Sequence, residues 1–202
     1  MLYKISAKRK KGVSEIMTLF YYLAAGRELP TGSFGQNKRT VTLMEYVTHI
    51  NPAAKEQPTM QIMLEKYPEG DRLMDIYETE LDAAGLYIAG PMHGQEASHI
   101  FRNTFIYQIN PEGGSFTIHN ESQRSNPILY ERSQKCLTEL FAYLRRNMIA
   151  GDKIELYCCW AYDRDRFTDT PIPELDVELD LSVFQLGAEF EWKERQYITI
   201  VA

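Results

Sequence analysis

The sequence predicts an α+β protein: a helix-rich N-terminal part packed on a mainly antiparallel C-terminal sheet, with one long helix at about 127–148. Three observations lead there. Turn residues and capping signals cut the first 85 residues into short segments with helical spacing of apolar residues. The stretch between Asn126 and Gly151 carries one broad apolar stripe: Leu129, Cys136, Leu137, Leu140, Phe141, Leu144 and Met148. From Lys153 onward the pattern turns to β-formers and alternation. A single domain over residues 1–202 is the simplest organisation, with a subdivision near 85–90 as the alternative.

Taken in order, Leu2–Ala7 reads as a first strand, followed by a charged turn from Lys8 to Gly12. Ser14 caps an expected helix over Glu15–Ala25, with Ile16, Leu19, Phe20 and Leu23 on one face and Gly26 beyond its end. Pro30–Arg39 has loop composition. Thr42 and Glu45 have capping-box spacing for a helix to Ile50, stopped by Asn51-Pro52. A short helix over Met60–Lys66 follows. A longer one is expected over Arg72–Ala84, on the stripe Leu73, Tyr77, Leu81 and Ala84.

Leu86–Ala89 then reads as a strand, and Ile100–Ile109 with Ser115–His119 as a hairpin turned at Pro111–Gly114. Asn126 and Pro127 are the cap and first residue of the long helix. Ile154–Tyr162 is apolar and aromatic enough for a central strand. The stretch Glu174–Leu181 alternates acid and aliphatic without a fault, which puts four carboxylates on one strand face. Glu189–Trp192 and Gln196–Val201 suggest a closing hairpin.

Composition limits the function classes. The chain has 44% hydrophobic and 25% charged residues, a globular balance. A net charge of −6 opposes bulk nucleic-acid binding. Three cysteines without framework spacing fit a reducing compartment. With no secretory leader pattern and no apolar run long enough to span a bilayer, the expectation is a cytoplasmic protein with no membrane association.

Candidate chemistry is sparse, and no cofactor or metal motif stands out. Gly32, Ser33, Gly35 and Lys38 form a glycine-hydroxyl-cation loop before a helix, a candidate anion site without Walker spacing. The expected hairpin would bring His99 toward His119, where Glu121 or Glu96 could complete a catalytic or metal-assisted hydrolytic site. Cys158 and Cys159 look like structural packing between Tyr157 and Trp160. Asp163-Arg164-Asp165-Arg166 reads as a salt-bridged loop.

The strongest signal is acidic. From Phe167 to Trp192 there is no Lys or Arg, while Glu174, Asp176, Glu178, Asp180, Glu189 and Glu191 all fall in that span. Neighbouring carboxylates on one strand face lie about 7 Å apart and repel by roughly 0.6 kcal/mol per pair in water. Burying the aliphatic face gives about 1.5–3 kcal/mol per residue, so the strand is stable without a partner. Acids beside Trp192 also suit a protein-binding face. The expected function is non-enzymatic binding of a basic protein partner, in its sharpest form an acidic inhibitor or immunity protein that blocks a cationic toxin. The alternative is a hydrolase working near the 100–119 hairpin.

Overall fold

A computed structural model describes residues 17–92, 97–162 and 166–202. The expected strand over Leu2–Ala7 lies outside the described residues, as does Glu96. The strands are β1 (Thr18–Ala25), β2 (Gly32–Phe34), β3 (Arg39–Thr42), β4 (Leu73–Ile76), β5 (Gly85–Met92), β6 (Phe105–Glu112), β7 (Lys153–Ala161), β8 (Val177–Asp180) and β9 (Tyr197–Val201). The helices are α1 (Leu43–Glu45), α2 (Pro58–Lys66), α3 (Glu80–Ala83), α4 (Asn120–Ser125) and α5 (Pro127–Asn147).

Seven strands form one sheet in the order β2-β5-β6-β1-β7-β9-β8. Every neighbouring pair is antiparallel except β8 with β9. Mixed α and β structure, a large mostly antiparallel sheet and one long helix all agree with the sequence. The helix-rich N-terminal part does not. Thr18–Ala25 is a central strand between β6 and β7 rather than a helix. Its six residues from Phe20 to Ala25 are all buried. A strand covered on both faces has apolar residues at every position, so the alternation that betrays a half-buried strand is erased.

β1 divides the core. Tyr21, Leu23 and Ala25 join the main cluster, together with Leu137, Leu140, Phe141 and Leu144 of α5. Phe20, Tyr22 and Ala24 face the other way, onto Ala97, Ile100, Phe101, Tyr157 and Cys159. The first face is thus covered by a long helix, the second by the short 97–101 segment and Phe167. α5 begins as the sequence predicts: the Asn126 side chain accepts from the Leu129 N–H at 3.2 Å and Pro127 occupies the first turn.

Between β2 and β5 the chain makes an excursion with its own small core of Leu43, Val47, Ala54 and Met60. Thr42 caps α1 by accepting from Glu45 N–H, and the helix continues as a π-helical turn over Tyr46–Ile50. The expected helix over Arg72–Ala84 is instead β4, which pairs with β3, and the short α3, boxed by Thr79 and Asp82. The supposed stripe residues Leu73 and Leu81 are exposed, at 64% and 42%. The β-branched run at Thr40–Thr42 supplies a strand partner that local helical spacing could not weigh.

Two hairpins are also absent. β6 runs straight through Pro111 and Glu112, and Ser115–His119 does not return along it; Ile118 bridges Phe190 instead. Glu189–Trp192 is therefore not the partner of β9, which lies between β7 and β8.

Candidate functional site

The parity of the sheet decides what stands on its second face. On β7 the side chains of Lys153, Glu155, Tyr157 and Cys159 point there, and on β9 those of Tyr197 and Thr199. Register then aligns one row across four strands: Glu178 beside Thr199, Thr199 beside Glu155, and Glu155 beside Ala24. Above this row lies an open trough of roughly 390 Å³. Thr199, Tyr197 and Glu155 form its floor, the Arg102-Asn103 turn one wall, and Asp176, Val177 and Glu178 the other; Lys153 closes an end.

Glu155 is the least expected residue in it. The residue is 5% exposed, in a strand whose other residues beyond Lys153 are apolar or aromatic. A buried carboxylate persists only with strong donors. The Asn103 N–H donates to it at 2.9 Å and the Arg102 N–H at 3.1 Å, and the Tyr197 hydroxyl adds a further bond. The Asn103 amide donates to the Ala24 and Lys153 carbonyls and pins the same turn to the sheet edge-on. Burial first, then the Glu155 hydrogen bond and charge, push the Tyr197 hydroxyl far above its ordinary pKa, so it stays a donor. Among the described residues, none of the donors to Glu155 carries a formal positive charge.

The acidic stretch falls partly into place. β8 covers Val177–Asp180, while Glu174 lies in the 3₁₀ turn Pro173–Leu175. Glu174, Asp176, Glu178 and Asp180 are all exposed. Among the described residues none of them forms an ion pair. Asp180 is engaged locally: it accepts from the Ser182 N–H at 2.8 Å and hydroxyl at 2.6 Å, which hold its carboxyl below the ordinary value. Among the described residues, the side chains of Glu174, Asp176 and Glu178 have no such tie. The aliphatic face grades from Val177, 40% exposed, to Leu181, 6%.

The other expected residues scatter. Trp192 is only 3% exposed, packed against the Tyr21 and Phe116 rings, so it is core and not a binding anchor. Glu189 accepts from the Asn120 N–H at the start of α4, and Glu191 is exposed next to Trp192. His99 follows Ala97 on the second face and bonds the Phe167 carbonyl at 2.8 Å. His119 follows buried Ile118 of the first face and precedes α4, where Glu121 occupies the first turn. The sheet separates the two histidines, because the hairpin that was to join them does not form. Among the described residues no group of three or more His, Cys, Asp or Glu side chains is placed to hold a metal.

In the glycine loop, packing requires Gly35 and a positive φ of 113° favours Gly32. Gly32 and Phe34 bound the edge strand β2, with Ser33 between them. A Cβ on Gly35 would collide with the Glu139 side chain of α5. Lys38 is paired with Asp75 at 2.7 Å. The three cysteines are buried, and desolvation raises the Cys136 and Cys159 thiols to about 11. Asp163, Arg164 and Asp165 lie outside the described residues; Arg166 stacks over Phe20 at 4.5 Å and donates to Gln108.

Sequence reasoning missed Glu155, Arg102 and Asn103. A signal for the first was present: a lone acid inside Ile154–Tyr162, where no ionised side chain belongs without partners. No helix among the described residues is long and apolar enough to cross a membrane. Compared with protein-family models, curated proteins and solved structures, the chain matches none.

Proposed function

We propose that this chain is a non-enzymatic binding protein that engages a basic protein partner along β8 and the trough behind it. One observation carries the reading: Glu174, Asp176 and Glu178 stand exposed without an ion partner among the described residues, and the last two line a trough whose floor is another carboxylate. Exposed like charges concentrated at one sheet edge speed the encounter with an oppositely charged surface. In its sharpest form the chain is an inhibitor or immunity protein for a cationic toxin, its carboxylates occupying positions that the toxin reserves for phosphates.

A competing account is that β8 is a guarded edge. Short, charged edge strands block edge-to-edge pairing, and β8 has four residues. That account explains the charges on the strand. It gives no reason for a carboxylate buried beneath them.

The test is calorimetric titration with a hexa-arginine peptide at low and at moderate salt. The wild-type chain is expected to bind, and D176S/E178S/D180S to bind about tenfold more weakly, with a shallower salt dependence. The comparison variant is E56S/E65S/E69S, which removes the same charge from the exposed surface around α2. Equal weakening in both variants would reduce the effect to net charge and defeat the proposal.

A further inference from the structure

We infer that the trough between β8 and the Arg102-Asn103 turn is a receptor for a single guanidinium side chain of the partner. This rests on the reading above and names the group that the site takes. The lining contains three carboxylates, Glu155, Asp176 and Glu178, against two cations, Arg102 and Lys153. Both cations are exposed and free to turn outward to water. Glu155 cannot turn: its strand is central and its oxygens are fixed by the Arg102 and Asn103 N–H groups.

Among the described residues the donors to Glu155 are neutral: the Arg102 and Asn103 N–H groups and the Tyr197 hydroxyl. Neutral donors orient the carboxylate without cancelling its charge, and it lines the open trough. Asp176 and Glu178 stand on the opposite wall. A planar cation entering the trough meets Glu155 on the floor and Asp176 and Glu178 on one wall, a two-sided set of acceptors that suits the forked donors of a guanidinium better than the point charge of an ammonium. The volume of roughly 390 Å³ is at the small end of ligand pockets, fit for one side chain and accompanying water.

The experiment is an amide NMR titration of the full chain with N-acetyl-arginine amide. Its neutral isostere N-acetyl-citrulline amide and the anionic N-acetyl-glutamate amide serve as comparisons. Saturable shifts are expected at the Arg102, Asn103 and Thr199 amides with the arginine probe. D176N/E178Q should weaken them about tenfold, and neither comparison probe should reproduce them. Glu155→Gln should weaken them as well, and if that variant fails to fold, the surface pair alone decides. Equal binding of citrulline or glutamate at these amides overturns the inference, as do shifts confined to other parts of the chain. Hexa-arginine binding that depends on the β8 carboxylates, with no arginine-probe shifts in the trough, overturns the guanidinium receptor alone. Loss of both removes the underlying reading too.

Discussion

Glu155 sits where folding would prefer a hydrophobe. Its neighbours Ile154 and Leu156 are buried on the other face, and the turn at Arg102 is folded down onto it by two backbone N–H groups. The carboxylate therefore organises the turn as much as the turn satisfies the carboxylate. Glu155→Ala would strand those donors beside an open trough that water can enter. The expected loss is about 1–3 kcal/mol by chemical denaturation, and less for Glu155→Gln, whose amide oxygen still accepts. An alanine variant as stable as wild type would mean that the turn is held by Asn103 alone. Trp192 teaches the opposite lesson. Flanking acids made it resemble an exposed anchor, yet its ring completes a cluster with Tyr21 and Phe116. Acidic neighbours report only that the adjacent positions face water.

Among elements, β1 governs the rest, since its two faces set both cores. In a helix of the expected phase, Tyr21 and Tyr22 would lie off the stripe of Leu19, Phe20 and Leu23. In the strand they are adjacent, 7% and 0% exposed, and in different clusters. Tyr21→Ala and Tyr22→Ala should each cost about 3–5 kcal/mol, measured by urea unfolding. Val183→Ala, at a position 75% exposed, should cost almost nothing. A tolerant Tyr22 would contradict burial on both faces. β8 is the converse case: its pattern was legible because one of its faces meets water. α5 was legible for the same reason, with a stripe on one side and polar residues on the other.

For the whole molecule, the excursion from Arg39 to Ile76 has a small core of its own, and the segments leading into and out of it are tied by the Asn37 N–H to the Asp82 carbonyl. Across its β3–β4 pair, Asp75 accepts from Lys38 and Thr40, and these bonds lower its carboxyl below the ordinary value. A carboxyl depressed in the folded state stabilises above its unfolded pKa, near 3.9, and loses that contribution as pH falls through the folded value. Hydrogen exchange should therefore be faster in β3 and β4 than in β1 and β7 at pH 6. The gap should widen as pH is lowered past about 4. Uniform exchange across both units at either pH would show that they open together.

The sequence alone reveals α5 with its cap and the alternating β8, each with a wet face, together with the acid-rich, cation-free span around β8; β7, dry on both faces, was legible as an apolar and aromatic run rather than by a period. Contrast between a dry and a wet side is what writes a period into a chain. Only the tertiary structure decided the remainder. β1 is dry on both sides and carries no period. β4 exists because β3 lies beside it. The trough exists because strand order sets β7, β9 and β8 side by side, which brings Glu155 and Glu178 from distant parts of the chain into one row through Thr199. That adjacency is a property of register, and register is settled by the whole sheet rather than by any segment of it.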